Sequence, residues 1–304
     1  MIHKISHTSD YPSPRITIAG CGVLGKGIAT GLLASPLNLD PSKISLTVRR
    51  EQHARCLREE FPGLAVTLDH GDPVLWPAEA TDDDEAGHFF FIVTKPQHVQ
   101  LVCADISPHI QASRTPPVVI TLCPGITIAQ LQDWLPTGTP IVRSMPNTPV
   151  MVCQGATGLF PSPLVSPGQL SILTRMFEAI SPSVVTLAHE DQLNVVAAIS
   201  GSAPAYFYRL MDHMVATGIS LGLPESLARD LITQSCIGSG AFAREIPSVS
   251  LAQLRNDVCV PGGSTEKAMN VLDAHGWQRG VKEAITASLT ANRSMGQGTT
   301  GRSR

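Results

Sequence analysis

The chain has 304 residues, 43% of them hydrophobic, and a formal net charge of −3. That is apolar material for one large domain or two of ordinary size. There is no basic excess, no polybasic block, and no apolar run near the ~18 residues of a spanning helix, so neither nucleic acid nor a membrane is an expected partner.

Residues 1–14 are polar and lack the apolar centre of a signal peptide. They read as a short, mobile N-terminal extension. The organising stretch follows directly. Ile16-Thr17-Ile18-Ala19 leads into Gly20-Cys21-Gly22-Val23-Leu24-Gly25, and an apolar run at 28–33 continues at helical spacing. This is a strand, a tight glycine turn and a helix N-terminus. Gly20 permits the turn, Gly22 lets a pyrophosphate approach the backbone, and Gly25 lets the helix pack close to the strand. The phosphates of a dinucleotide would sit on free N–H groups at the positive end of the helix dipole.

Residues 44–48 form the expected second strand, which ends at Arg49-Arg50. An acidic side chain here would suit the 2′-hydroxyl of NAD; arginine suits the 2′-phosphate of NADP. NADPH is therefore the expected cofactor, with NADH possible. The spacing from the glycines exceeds the usual ~20 residues, and the proline-containing stretch 35–42 accounts for it as an insertion. A helix is expected over 51–60 and a short third strand over 65–68. The acidic stretch 80–86 reads as a solvated helix or loop.

His88-Phe89-Phe90-Phe91-Ile92-Val93 is continuously apolar after its first residue. Such a run fits a strand buried on both faces of a parallel sheet. It delivers Thr94, Lys95 and Pro96 to its carboxyl end, where cofactor crevices lie. A helix is expected from 99 to 106, a strand over 118–122 ending in Cys123-Pro124-Gly125, and a helix over 126–135. A strand over 140–143 follows, and Ser144-Met145-Pro146-Asn147-Thr148-Pro149 then fixes an irregular loop. Strands at 156–160 and 184–187 enclose a helix at 167–180. This alternation gives an α/β doubly wound, Rossmann-like domain over 15–189.

From residue 190 the pattern changes to stretches rich in Ala, Leu and Met at 195–199, 206–219, 227–243 and 268–289. An all-helical dimerisation and substrate domain is expected over 190–295, with a tail at 296–304. A few helices cannot bury all these apolar positions alone, so a shared core with a second copy is expected. The Ser200–Pro204 segment interrupts one helix. Pro261-Gly262-Gly263-Ser264-Thr265 places a glycine turn before another, which suits a carboxylate. Seven cysteines, an odd number with no Cys-x-x-Cys pair, argue against a disulfide framework and a metal site, and for a cytoplasmic protein.

Together these landmarks resemble the pyrroline-5-carboxylate reductase family. The resemblance spans residues 16–295 and is carried by five motifs: Gly20 to Gly25, Lys95-Pro96, Arg143 to Pro149, Gly201-Ser202-Ala203-Pro204-Ala205-Tyr206, and Pro261 to Thr265. It implies reduction of the C=N bond of a cyclic imine carboxylate to L-proline by NAD(P)H. It also implies a homodimer or larger homo-oligomer whose site is shared between subunits. On this footing Gly262, Gly263, Ser264 and Thr265 would hold the substrate carboxylate, with Val260 beside them. The Thr265 hydroxyl would bond the ring nitrogen as the catalytic group. Thr94, Lys95 and Pro96, with Met145, Pro146 and Asn147, would line the nicotinamide end.

The chain departs from the family pattern at Val260, Ser264, Ala203, Asp212 and Cys123-Pro124. Two alternatives stay open. One is a related reductase of another cyclic imine, and the other is a non-catalytic NADPH-binding protein with the same dimer fold.

Overall fold

A computed structural model describes residues 13–76 and 87–298, with side chains as far as Met295. Most of the expected N-terminal extension, the acidic stretch 80–86 and residues 299–304 lie outside the described residues. The chain divides into two compact units. The first holds the α/β part to Gly201 together with residues from Leu289 onward; the second holds Ser202–Ser288.

The first unit is built on one eight-stranded sheet. Its strands are β1 (Arg15–Ala19), β2 (Ile44–Thr47), β3 (Ala65–Thr67), β4 (His88–Ile92), β5 (Val118–Thr121), β6 (Ile141–Pro146), β7 (Ala156–Pro161) and β8 (Ser183–Thr186). The spatial order is β3-β2-β1-β4-β5-β6-β7-β8. Neighbours are parallel except β6 and β7, which are antiparallel. The order of strand addition reverses between β1 and β4, the switch point where such sheets bind ligands.

The apolar run of β4 shows why the sheet needs helices on both faces. Phe89 and Phe91 pack with Ile16, Ile18 and Leu57 in one core, whereas Phe90 and Ile92 pack with Val102 and Ile106 in the other. The first core is closed by α1 (Val23–Leu33), α2 (Glu51–Glu60) and α5 (Pro167–Glu178), the second by α3 (Val99–Ala112) and α4 (Ile128–Trp134). Two expectations fall short here. Helix α3 continues to Ala112 through Pro108 rather than ending near 106. Strand β6 runs through Pro146, so the irregular segment begins only at Asn147 and becomes a 3-10 turn at Thr148–Val152.

Within this unit, α6 (Gln192–Val196) passes directly into a π-helical turn at Ala197–Gly201. The second unit holds α7 (Ala203–Ser220), α8 (Glu225–Glu245), α9 (Leu251–Val258), α10 (Ser264–Ala274) and the start of α11 (Trp277–Gly298). Pro204 sits in the first turn of α7, where its missing N–H costs nothing. The expected single stretch 268–289 is two helices, broken at His275-Gly276, where Gly276 takes φ 75°. Helix α9 was not expected at all, and α11 runs to Gly298, past the expected start of the tail.

Apolar side chains in the second unit are largely uncovered. Phe207, Tyr208, Leu231 and Phe242 are between 52% and 60% exposed, as expected of helices that need a further surface to pack on.

Candidate active site

The glycine turn has the geometry its spacing implies. Gly20 takes φ 96°, and a Cβ there would lie 2.9 Å from the Thr94 backbone N. A Cβ on Gly25 would lie 2.4 Å from the Gly20 carbonyl oxygen and 3.3 Å from Ile18 Cγ2. Helix α1 thus crosses its own strand at a distance only glycine allows. Gly22 differs: nothing lies within 4 Å of the Cβ it would carry. It is the N-cap of α1 and supplies no side-chain cap, and the first turn has no acidic residue. Among the described residues, no acceptor meets the N–H groups of Val23 and Leu24. Unsatisfied donors at a positive helix end, beside open space, fit a pyrophosphate.

Around this turn the other expected residues fall at the carboxyl ends of strands β2, β4 and β6. Arg49 and Arg50 follow β2 and are exposed, Arg50 as the N-cap of α2. Lys95 is exposed at the start of the 3-10 turn Pro96–His98, after β4. Among the described residues, the hydroxyls of Thr94 and of Thr47, the last residue of β2, are buried without a partner. Val23 is 68% exposed, whereas Leu24 turns inward against the core.

The end of β6 is organised differently. Met145 is buried against Leu193 and Ala197. Asn147 accepts from the Ala156 N–H at 2.9 Å and donates to the Ser200 carbonyl at 3.3 Å. Its amide is committed on both sides, so Asn147 positions the loop and the π-helical turn. Beside it, buried Arg143 donates to Glu190 Oε1 at 2.8 Å, and the same oxygen accepts the first helical N–H of α4, from Ile128, at 2.8 Å. Arg293 on α11 pairs with Asp191, whose carboxyl is held below the usual carboxylate range by the hydrogen bond from Arg293.

Burial disfavours the thiolate form of the cysteines at this edge. Burial pushes Cys21 up to about 12 and Cys123 to about 11. The Cys123 thiol donates to the Thr94 carbonyl at 2.9 Å. Among the described residues no group of three or more His, Cys, Asp or Glu could hold a metal ion.

The glycine turn of the helical unit forms a second candidate cradle. Gly262 takes φ 78°, and the Gly263 N–H donates to the Val260 carbonyl at 2.9 Å. The Gly262 N–H donates to Glu266 Oε2 at 2.8 Å. Two of the four N–H groups expected to face a carboxylate are therefore engaged. Those of Ser264 and Thr265, in the first turn of α10, have no acceptor among the described residues. Gly263, the N-cap, offers no side chain. Val260 is 64% exposed.

Sequence reasoning missed Glu190, His98 and Glu266. Glu190 meets Arg143 across 47 residues and His98 meets Arg49 across 49, partners that the spacing of motifs does not pair, whereas Glu266 reaches back only four residues, to Gly262.

The model for pyrroline-5-carboxylate reductase dimerisation matches residues 190–295, and that for ketopantoate reductase PanE/ApbA matches residues 16–144. A relative in Gibberella fujikuroi, Delta-1-pyrroline-5-carboxylate reductase apf3, is 41% identical over 92% of this chain and 96% of its own. The chain belongs to the pyrroline-5-carboxylate reductase family. A second relative, the pyrroline-5-carboxylate reductase of Mycobacterium tuberculosis, is 30% identical over 92% of this chain and 96% of its own. The solved pyrroline-5-carboxylate reductase of Coxiella burnetii superposes with a TM-score of 0.80 at 31% identity, covering 93% of this chain and 98% of its own. The Plasmodium falciparum pyrroline carboxylate reductase, solved with NADP bound, shares the fold at 20% identity with a TM-score of 0.79, covering 94% and 99%. Membership of this family makes the chain's fold a Rossmann-like domain followed by a helical dimerisation domain. No described helix is long and apolar enough to cross a membrane.

Proposed function

We propose that this chain reduces 1-pyrroline-5-carboxylate to L-proline with NADPH, NADH being the weaker donor. The observation that carries the reading is the 41% identity over 96% of a Delta-1-pyrroline-5-carboxylate reductase. The free N–H groups of Val23 and Leu24 beside the open face of Gly22 fit the cofactor's pyrophosphate. The bound cofactor supplies a hydride for an imine carbon.

This chain's residues supply position and charge. Val23 and Leu24 N–H groups anchor the pyrophosphate, and Arg49 and Arg50 take the 2′-phosphate. Thr94, Lys95 and Pro96, after β4, wall the nicotinamide end together with Met145 and Pro146 at the end of β6, where Asn147 holds the following turn in place. The Ser264 and Thr265 N–H groups hold the substrate carboxylate at the start of α10. The Thr265 hydroxyl accepts the N–H of the protonated imine and fixes the ring. A protonated imine is already electrophilic, so no strong general acid is required.

We assign residues 15–189 to cofactor binding and 190–295 to dimerisation and substrate. We infer a homodimer, or a larger assembly, in which the Val260–Thr265 turn of one subunit serves the nicotinamide of the other. The exposed apolar faces of α7 and α8 support this assembly. Seven free cysteines fit the reducing cytoplasm.

Thr265→Ala tests the mechanism. Turnover falls at least about tenfold, as for loss of one orienting group, while NADPH affinity stays near wild type. Unchanged turnover removes Thr265 from the chemistry. A second reading, reduction of a different cyclic imine, is favoured by the departures at Val260, Ser264 and Cys123-Pro124. It predicts faster turnover of a six-membered homologue than of the five-membered ring.

A further inference from the structure

We propose that His98 is a positioning residue for NADPH selectivity, holding Arg49 ready for the 2′-phosphate. The inference rests on the NADPH reading above and extends it to a residue outside every family motif named.

Strands β2 and β4 both flank β1 in the sheet. Arg49 lies just past the end of β2, and His98 ends the 3-10 turn after β4. Arg49 Nη1 meets His98 Nε2 at 3.1 Å. The pair therefore spans the carboxyl end of β1, from which the glycine turn departs. A guanidinium has donors and no acceptor, so Nε2 is the acceptor and the ring proton sits on Nδ1.

What surrounds the pair leaves Arg49's charge available. Glu51 is the nearest carboxylate in sequence. It accepts from Arg55 at 3.3 Å and Arg58 at 3.0 Å, on the helix that leads away. Arg58 is tied further, to the Val66 carbonyl at 2.9 Å. Among the described residues no carboxylate pairs with Arg49. It meets instead an imidazole nitrogen, which fixes its direction without bringing a negative charge against it. A long cationic side chain fixed before its ligand arrives loses less freedom on binding. The cofactor phosphate that would gain is the one NADH lacks.

The test is calorimetric titration of the full-length protein with NADPH and NADH, with no imine present. The variants are His98→Leu, His98→Gln, Arg49→Leu and the Arg49→Leu/His98→Leu double variant. His98→Leu weakens NADPH about tenfold, the scale of one hydrogen bond to a charged group. NADH affinity moves less than about twofold, because it has no group for Arg49 to meet. His98→Gln, which keeps an acceptor, recovers most of the loss. In the Arg49→Leu background His98→Leu adds nothing, the mark of two residues acting as one unit.

Equal weakening of NADPH and NADH by His98→Leu reduces the contact to local structure and overturns the proposal. So does an unchanged NADPH affinity in His98→Leu when Arg49→Leu loses it. If Arg49→Leu itself leaves NADPH affinity intact, the assignment of the 2′-phosphate to Arg49 fails first. If a leucine variant does not fold, the glutamine variant and His98→Asn carry the comparison.

Discussion

Gly22 and Gly25 stand three residues apart in one motif, yet the structure gives their replacement opposite outcomes. A methyl on Gly25 would sit 2.4 Å from the Gly20 carbonyl oxygen, a backbone atom that cannot turn aside. Strand β1 and helix α1 must separate, and overpacking of this kind costs about 1–3 kcal/mol. For a unit of this size that lowers Tm by about 2–12 °C. A methyl on Gly22 meets nothing within 4 Å, and the backbone there is extended, at φ −77°. Its folding cost is the loss of a favourable N-cap residue, within about 1 kcal/mol. The methyl does, however, occupy the space we assign to the pyrophosphate. Displacing that group from the Val23 and Leu24 N–H donors weakens NADPH at least about tenfold. The assay is a thermal melt of each variant without cofactor, paired with fluorescence titration of NADPH. Gly25→Ala melts early; Gly22→Ala melts near wild type and binds poorly. Wild-type affinity in Gly22→Ala would refute the placement of the pyrophosphate over this turn.

Two further predictions concern charge in the fold. Burial holds His88 down at about 3 from an ordinary 6.5, with Arg15 adding to the depression, while its Nε2 meets the Thr17 hydroxyl at 2.9 Å. The unfolded chain therefore takes up a proton near 6.5 that the folded chain refuses until about 3. Stability from this site is full above pH 6.5 and falls as pH drops through that window, by on the order of 3 kcal/mol at pH 4. Urea unfolding of His88→Gln between pH 7 and 4 has the shallower slope; identical slopes contradict the assignment. Glu190→Ala strands the buried Arg143 guanidinium and frees the Ile128 N–H. It costs about 3 kcal/mol, the low end for a broken buried pair because Glu190 is partly exposed. Glu190→Gln keeps an acceptor and loses clearly less in the same denaturation series; equal losses would place the effect outside the ion pair.

How much the sequence revealed depended on whether a feature was local. The run from Phe89 to Ile92 alternates between two cores, so continuous hydrophobicity correctly reported a doubly covered strand. The glycine spacing correctly reported a tight turn, because each steric demand there falls within a few residues. Helix α9 escaped because its apolar positions, such as Leu251 and Val258, are exposed and leave no buried stripe. The break at Gly276 escaped because apolar spacing continues on both sides of one glycine. The bonds joining Arg49 to His98 and Arg143 to Glu190 connect residues 49 and 47 positions apart. Only the order of strands brings them together. The Glu266 carboxylate on the Gly262 N–H is local, a first-turn acid reaching back over its own helix start.

The most direct test of the central claim follows the hydride. The full-length protein is given 1-pyrroline-5-carboxylate and NADPH carrying deuterium at the transferable position of the nicotinamide. The account predicts L-proline one mass unit heavier, with the label on the former imine carbon and one NADP+ formed per proline. Proline without label, or cofactor that binds and is never oxidised, would contradict it.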